Sequence, residues 1–212
     1  MNIACPLCTS HHIEHYYRDK KRTYQRCLQC NLIFVPDEYH LAQAQEKQVY
    51  DFHENSLQDA GYRKFLDKLL APLSQRLAPH ARGLDFGCGP GPTIKPMMEE
   101  QGFSVNNYDI YYANNPAALS RHYDFITCTE AIEHFSRPGK ELSRLDSLLE
   151  SGGFLGIMTK RATTKDAFSQ WHYKNDPTHI CFFSEATFRW LADWLNYDVD
   201  FPGNDTVILQ KR

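Results

Sequence analysis

Apolar positions in this chain recur at two intervals, and the switches between them mark out the elements. Tyr62, Phe65, Leu66, Leu69, Leu70, Leu73 and Leu77 stand at helical spacing, which predicts one helix with a single buried face. Ser56, three residues before Asp59, fits a capping box at its start, and Pro72 is placed to kink it. Short apolar runs and helical patterns then alternate. The pattern predicts a strand over residues 84–86, then a helix carrying Ile94, Met97 and Met98, with Pro96 in its first turn and Gln101-Gly102 at its end. Strands over residues 103–108 and 123–128 follow, and Leu142, Leu145, Leu148 and Leu149 mark a helix stopped by Gly152-Gly153. After a strand over residues 154–158, Ser184 caps a helix carrying Phe188, Leu191 and Leu195. Two last strands, over residues 197–201 and 206–209, flank Pro202-Gly203-Asn204-Asp205 as a hairpin. Such alternation predicts an α/β fold: a doubly wound, mostly parallel sheet with helices on both faces, an antiparallel C-terminal hairpin, and ligands at the carboxyl ends of the strands.

The first 36 residues follow neither interval. Cys5-Pro-Leu-Cys8 and Cys27-Leu-Gln-Cys30 are two knuckles eighteen residues apart, the spacing of a zinc ribbon in which Cys5, Cys8, Cys27 and Cys30 close a tetrahedral site. The same sulfurs would suit iron, a redox dithiol pair or disulfides. Zinc is favoured because cytosolic cysteines seldom form structural disulfides, and a four-thiolate shell is closed, so the site stabilises and does not catalyse. His11, His12 and His15 are then surface histidines, and Tyr16, Tyr17 and Tyr24 pack the ribbon's hairpin, with stacking on bases as the alternative. The chain divides into a ribbon (1–36), a helical bridge or lid (37–80) and a main domain (81–212). Within the bridge, Gln43 to Gln48 reads as a surface helix or linker, and the aromatic and polar residues 50–55 read either as packing or as a lid over a ligand.

Composition narrows the classes. Of 212 residues, 42% are hydrophobic and 23% charged, an ordinary balance for a soluble globular protein. The N-terminus does not begin as a signal peptide and no apolar run is long enough for a membrane span, so a cytoplasmic location without a membrane partner is expected. The net charge of -3 argues against an obligate nucleic-acid binder. Residues 1–30 nonetheless carry Arg18, Lys20, Lys21, Arg22 and Arg26 against Glu14 and Asp19. A mildly basic ribbon on an acidic body could touch RNA or an acidic partner.

The main chemistry lies at Arg82 to Thr93, R-G-L-D-F-G-C-G-P-G-P-T, where a strand opens into glycines at alternate positions, Gly87, Gly89 and Gly91. Glycine admits positive φ and close backbone approach, so the run forms a cradle. A dinucleotide-binding G-x-G-x-x-G would place its third glycine five residues after the first, and here it comes at four. Asp85 beneath the loop would repel a pyrophosphate and suits a cationic or zwitterionic ligand. Asp109 ends the next strand, where α/β nucleotide folds place an acid for ribose hydroxyls.

G-L-D-F-G-C-G-P-G resembles the first motif of class I S-adenosylmethionine-dependent methyltransferases. Tyr123-Asp124 through Glu133-His134-Phe135 and Ser151-Gly152-Gly153 resemble their later motifs, and the likeness runs from about Leu57 to the C-terminus. It implies a Rossmann-like methyltransferase fold with S-adenosylmethionine as cofactor, contacted by Gly87, Cys88, Gly89 and Gly91. Asp85 would orient the aminoacyl end and Asp109 bind the ribose. Only fourteen residues separate Asp109 from Asp124, too few for the usual helix, third strand and helix, so residues 113–119 are one short helix or an extended connection. Thr129 and Glu130 are the candidates to replace the adenine pocket supplied there. Asp176-Pro177-Thr178-His179 resembles a segment of the ubiquinone-biosynthesis-like branch of the family. His179 is the candidate catalytic base, with a structural histidine as the plainer reading. Trp171, Tyr173 and Asp176 are candidate substrate contacts, and His134 is a structural or cofactor-shell residue. Cys88, Cys128 and Cys181 read as small apolar residues and not nucleophiles. Methyl transfer from a sulfonium is an in-line displacement, so catalysis rests largely on positioning, plus a base if the acceptor must lose a proton. A small-molecule methyltransferase is the leading reading; an RNA methyltransferase gripping phosphates with its ribbon and a non-catalytic binding module are the alternatives.

Overall fold

Two sheets organise the chain, and the N-terminal one takes its last strand from far along the sequence. The computed structural model describes residues 3–52 and 56–212. In chain order the ribbon contributes β1 (Ile13–Arg18), β2 (Thr23–Cys27) and β3 (Ile33–Phe34), followed by α1 (Gln43–Tyr50) and α2 (Ala60–Ser74). The main domain then runs β4 (Arg82–Phe86), α3 (Ile94–Glu99), β5 (Ser104–Tyr108), β6 (Tyr123–Thr129), α4 (Pro138–Leu148) and β7 (Leu149–Met158). It finishes with α5 (Lys165–Gln170), β8 (Cys181–Phe182), α6 (Glu185–Leu195), β9 (Tyr197–Asp200) and β10 (Thr206–Lys211). Three short 3-10 turns matter for the site: Pro116–Ser120, Ile132–His134 and His172–Asn175.

The main sheet has the order β5-β4-β6-β7-β10-β9, with β4, β5, β6 and β7 parallel and β10 antiparallel to both of its neighbours. Strand residues alternate between two cores, as a period of two requires. Leu84, Ile126, Leu155, Val207 and Leu209 face α4 and α6, whereas Val105, Phe125 and Ile208 face α2 and α3. Helices therefore cover both faces, as a doubly wound sheet demands. The buried stripe of α2 is the one its spacing predicts, Leu66, Leu69, Leu70 and Leu73, each contributing roughly 2 kcal/mol on burial. Gly156 leaves the room that Leu69 and Leu73 fill, since a Cβ there would stand 3.2 Å from both side chains.

Local departures have local causes. The cap of α2 is Asp59, which accepts from the backbone N–H groups of Gly61 and Tyr62, and Ser56 instead donates to the Gln58 side chain. An aspartate one residue before the helix outcompetes a serine four residues before it. Gly152-Gly153 does not stop α4. That helix ends at Leu148 and the chain passes straight into β7, where the β6 register slips between the pairs Tyr123↔Leu149 and Phe125↔Phe154. The glycines sit in this bulge: Gly152 has φ +76°, and a Cβ on Gly153 would lie 2.9 Å from Asp124 O. The short stretch after Asp109 holds no strand. A backbone bridge between Asp109 and Ala113 folds the chain back and Asn115 caps the 3-10 turn Pro116–Ser120, so β5 forms the sheet edge.

The ribbon is not self-contained. Its sheet runs β1-β2-β3-β8, with Ile33 opposite Phe182 and Phe34 opposite Cys181. Leu7, Cys27, Leu32 and Phe34 belong to the same core as Ile126 and Leu209. Tyr16 and Tyr24 are buried against Phe168 and Phe182, so these tyrosines pack protein and not bases. His11, His12 and His15 are exposed. Helix α5 and strand β8, which complete this packing, carry no periodic signal long enough to be read beforehand.

Candidate active site

A cavity of about 750 Å³ opens at the carboxyl ends of β4, β5 and β6. Its floor is the loop after β4, where Gly87 (φ +78°) and Gly89 (φ +64°) occupy the left-handed region. Gly87 is doubly required, because a Cβ there would lie 2.7 Å from the Ala131 side chain. Gly87 N and Cys88 N donate to Tyr108 O, at 2.8 and 3.3 Å. Asp109 pins the loop from the next strand: one carboxylate oxygen accepts from Gly89 N at 3.1 Å, the other from Tyr111 N at 2.8 Å and Tyr112 N at 3.1 Å. Thr129 and Glu130, at the end of β6, and Ile110 and Tyr111, after β5, line the cavity on either side of that loop. Helix α1 crosses the mouth, where Glu46 accepts from Tyr50 at 2.9 Å and from Tyr111 at 2.7 Å. Glu46 and Tyr111 gave no signal in the sequence, since neither stands in a motif; Tyr50 begins the stretch read as packing or a lid. Residues 53–55 of that stretch lie outside the described residues.

Several candidates stand elsewhere. Gly91 is not part of the lining, and its φ is not in the left-handed region. Asp85 lies behind the wall, 2% exposed, where it accepts from Thr127 Oγ1 at 2.9 Å. It therefore does not line the cavity. Trp171 and Tyr173, read as substrate contacts, do not line this cavity. They pack in the aromatic core under the ribbon, Trp171 against Phe168, Phe182 and Tyr173. Cys128 and Cys181 are buried and inert, and burial pushes the thiol of Cys88 well above its ordinary range.

The far half of the cavity is built by the turn Ile132–His134 and residues 176–180. Glu133, His134 and His179 offer ligand atoms that all lie within 4.8 Å of one another. His179 is 8% exposed, and its Nδ1 lies 2.7 Å from Tyr173 O. A carbonyl only accepts, so Nδ1 carries the hydrogen and Nε2 of the neutral ring carries the lone pair. His134 is fixed in the same way, Nδ1 at 3.1 Å from Thr178 O. Burial, and then the proximity of His134, holds the His179 pKa below the ordinary histidine range. Glu133 is fully buried; one of its oxygens accepts from Tyr173 Oη and the other has no hydrogen-bond partner among the described residues. Glu130 has one such orphaned oxygen too, and burial together with the charge of Glu133 pushes it up to about 8. The buried Glu133 carboxylate beside two oriented imidazoles forms a donor set that suits a divalent cation.

The four ribbon cysteines converge as well. Their sulfurs lie within 4.8 Å of one another, with Cys5 to Cys30 and Cys8 to Cys27 both at 3.5 Å. Each knuckle ends on a left-handed residue, Thr9 (φ +60°) and Asn31 (φ +59°), which turns the chain so that both sulfurs of a pair face inward. Within the cluster the hydrogen bond from Cys30 pulls the Cys5 thiol down to about 6, while the same contact pushes the Cys30 thiol up and burial pushes that of Cys8 up to about 12.

Asp85 carries a pH signature. Burial raises its pKa from 3.8 to about 7, against the Thr127 hydrogen bond that lowers it. The unfolded chain loses its proton near pH 4 while the folded protein keeps it, so stability falls from about pH 4 to 7, by roughly 4 kcal/mol at most. Asp85→Asn cannot ionise and escapes that loss. Urea denaturation at pH 5 and pH 8 should show the variant gaining on the parent as pH rises; an equal difference at both values contradicts the assignment.

Comparison with known proteins agrees with this geometry. Residues 59–200 match the family model described as a methyltransferase domain. A ubiquinone biosynthesis O-methyltransferase of Yersinia pestis is 27% identical over 97 residues, covering 46% of this chain and 40% of that protein. An enzyme of the same description from Aeromonas salmonicida is 26% identical over 91 residues, 43% of this chain and 38% of its own length. The chain thus spans about two fifths of the curated relatives it matches. In fold it is similar to a Burkholderia thailandensis 1,6-didemethyltoxoflavin-N1-methyltransferase, solved with 1,6-didemethyltoxoflavin and S-adenosylhomocysteine, with a TM-score of 0.53 and 16% identity over 93% of this chain and 99% of that one. The magnesium protoporphyrin IX methyltransferase of Synechocystis, solved with S-adenosylmethionine, gives a TM-score of 0.52 and 15% identity over 83% of this chain and 94% of that one.

Proposed function

We propose a function for this chain on one premise: it belongs to the methyltransferase-domain family matched over residues 59–200. It transfers a methyl group from S-adenosylmethionine to a hydroxyl of a small-molecule acceptor. The observation that carries this reading is that a glycine cradle with an acid behind it and an oriented histidine pair face one cavity from opposite sides. The relatives described as O-methyltransferases, and the fold neighbours solved with this cofactor or its demethylated product, support it.

The residues fit the cofactor. Gly87 and Gly89 bring bare backbone to the cavity, Asp109 offers its carboxylate to ribose hydroxyls, and Glu130 lines the side formed by the end of β6. Glu46, Asp109, Glu141 and Asp176 also line the cavity, and such an acidic lining suits a cationic ligand. S-adenosylmethionine supplies an electrophilic methyl group when bound. The chain's own contribution is to hold the acceptor in line and to take its proton at His179 Nε2, with the Tyr173 carbonyl keeping the imidazole in the tautomer that can accept it. The cluster Glu133, His134 and His179 also fits a divalent cation, which would bind and acidify an acceptor hydroxyl at the same place. Cys5, Cys8, Cys27 and Cys30 hold zinc as a structural staple.

Docking RNA on the ribbon is the weaker reading. Of its five cations, Arg22 is buried inside the protein and Arg26 is paired with Glu14 at 2.5 Å. No helix among the described residues is long and apolar enough to cross a membrane.

Calorimetry with S-adenosylmethionine tests the premise of catalysis, and radiolabelled methyl transfer into a metabolite extract, compared with total RNA, tests the acceptor class. Asp109→Ala should weaken cofactor binding about tenfold or more, as for the loss of charged hydrogen bonds. Unchanged affinity would remove Asp109 from the ribose role. Label appearing in RNA and not in the extract would overturn the small-molecule reading.

A further inference from the structure

We propose that Arg22 is a positioning residue: from the tip of the N-terminal ribbon it clamps the segment that carries Asp176 and His179, so the ribbon sets the acceptor side of the cavity. The inference rests on the reading of that side given above, with His179 as its working group.

Arg22 lies on the turn between β1 and β2, where a basic residue would ordinarily point into solvent, yet it is only 7% exposed. Its guanidinium spends its donors on one loop. Nη2 donates to Asp176 O at 2.8 Å and to Lys174 O, and Nη1 donates to Pro177 O at 3.3 Å. Nε donates to Tyr24 Oη at 3.0 Å, and that hydroxyl donates to Asp19 Oδ2 at 2.9 Å. The other oxygen of Asp19 accepts from the backbone N–H groups of Lys21 and Arg22, at 2.7 and 2.9 Å, which fixes the turn itself. The planar fork thus meets three carbonyls within four residues of chain from two separated nitrogens, a spread that the single nitrogen of an ammonium group lacks.

Those carbonyls flank the group that matters. Lys174 follows Tyr173, whose carbonyl holds His179 Nδ1 at 2.7 Å, and Asp176 fixes Thr178 through its N–H at 2.8 Å and its hydroxyl at 2.6 Å. Beyond His179 the segment is stitched on both sides: Ile180 N donates to Glu133 O and Val35 N to Ile180 O, each at 2.9 Å. Val35 belongs to the ribbon. Among the described residues the loop of the cofactor half has no such tie, because it hangs from Tyr108 and Asp109 of the main sheet. Losing Arg22 should therefore loosen one half of the cavity and spare the other.

The test uses the full, metal-loaded chain with Arg22→Met and Arg22→Lys, and S-adenosylhomocysteine as the probe ligand. Three measurements are compared with the parent: calorimetric affinity for S-adenosylhomocysteine, hydrogen exchange across the sheet and across residues 174–180, and the ring nitrogen resonances of His179. With Arg22→Met, exchange in residues 174–180 should accelerate about tenfold or more, the scale of a lost charged hydrogen bond. The His179 resonances should shift or broaden while affinity stays within about twofold. Arg22→Lys should fall between. A parent-like exchange pattern and His179 spectrum in Arg22→Met would overturn the proposal, as would acceleration spread evenly over the whole sheet in either variant. Should Arg22→Met not fold, Arg22→Lys decides by the same criteria. Failure of the parent to bind S-adenosylhomocysteine would sink the methyltransferase reading alone, leaving the exchange pattern to judge the clamp.

Discussion

Replacing His179 with glutamine is expected to slow methyl transfer by about 10²–10⁴-fold, the range for loss of a positioned acid or base, and to leave cofactor affinity within about twofold. Glutamine is the informative choice because it is polar and close to the ring in size but has no nitrogen that takes a proton near neutral pH, so the basic nitrogen is what is lost. His179 lies in the half of the cavity away from Gly87 and Asp109, which is why binding and turnover should separate. His134→Gln then distinguishes two ways of working. If His179 Nε2 alone takes the acceptor's proton, His134→Gln costs far less than His179→Gln. If Glu133, His134 and His179 hold a cation between them, either histidine is needed and both variants fall together. Single-turnover rates for the parent and both variants, with the acceptor found in the extract screen, give the comparison. Parent-like turnover in His179→Gln would return His179 to the role of a histidine that merely holds the loop down.

The parts of the site that depend on backbone geometry were legible in the sequence. A strand opening into Gly87 and Gly89 can be read because glycine adopts those φ values most readily, and Asp109 can be read because it closes the next strand. The missing third strand was legible as well, from the short interval between Asp109 and Asp124. What failed were assignments that rest on which way a side chain points. Asp85 sits beneath the loop as expected, but pleating turns it toward Thr127 and away from the cavity. Trp171 and Tyr173 looked like pocket walls from their neighbours in sequence, yet the aromatic core under the ribbon claims them, a demand visible only once α5 and β8 are placed. Arg22 illustrates the same limit in reverse. In sequence it is one cation in a basic run; in the fold it is buried against carbonyls more than 150 positions away.

The largest effect on stability is expected at the ribbon cysteines. Cys27→Ser should lose the bound metal and lower the thermal midpoint by about 10–20 °C, because structural zinc contributes roughly 10–16 kcal/mol to apo-unfolded modules and each 1 kcal/mol is about 2–4 °C in a chain of this size. The estimate takes only part of that energy, since the ribbon here does not fold by metal alone: β8 completes its sheet, and Cys27, Leu32 and Phe34 share the core of Ile126 and Leu209. That sharing also decides how far the damage spreads. A self-contained ribbon would melt by itself and leave a second transition unchanged, whereas this one should pull down the main transition and the acceptor side with it. Cys88→Ser is the control. Its thiol lies in the cofactor loop away from the cluster and should leave metal content as in the parent. Elemental analysis beside calorimetric melting of the two variants makes the measurement. Parent and Cys27→Ser melting alike, or a parent carrying neither zinc nor iron when purified under reducing conditions, would show that four convergent sulfurs hold this fold together without metal.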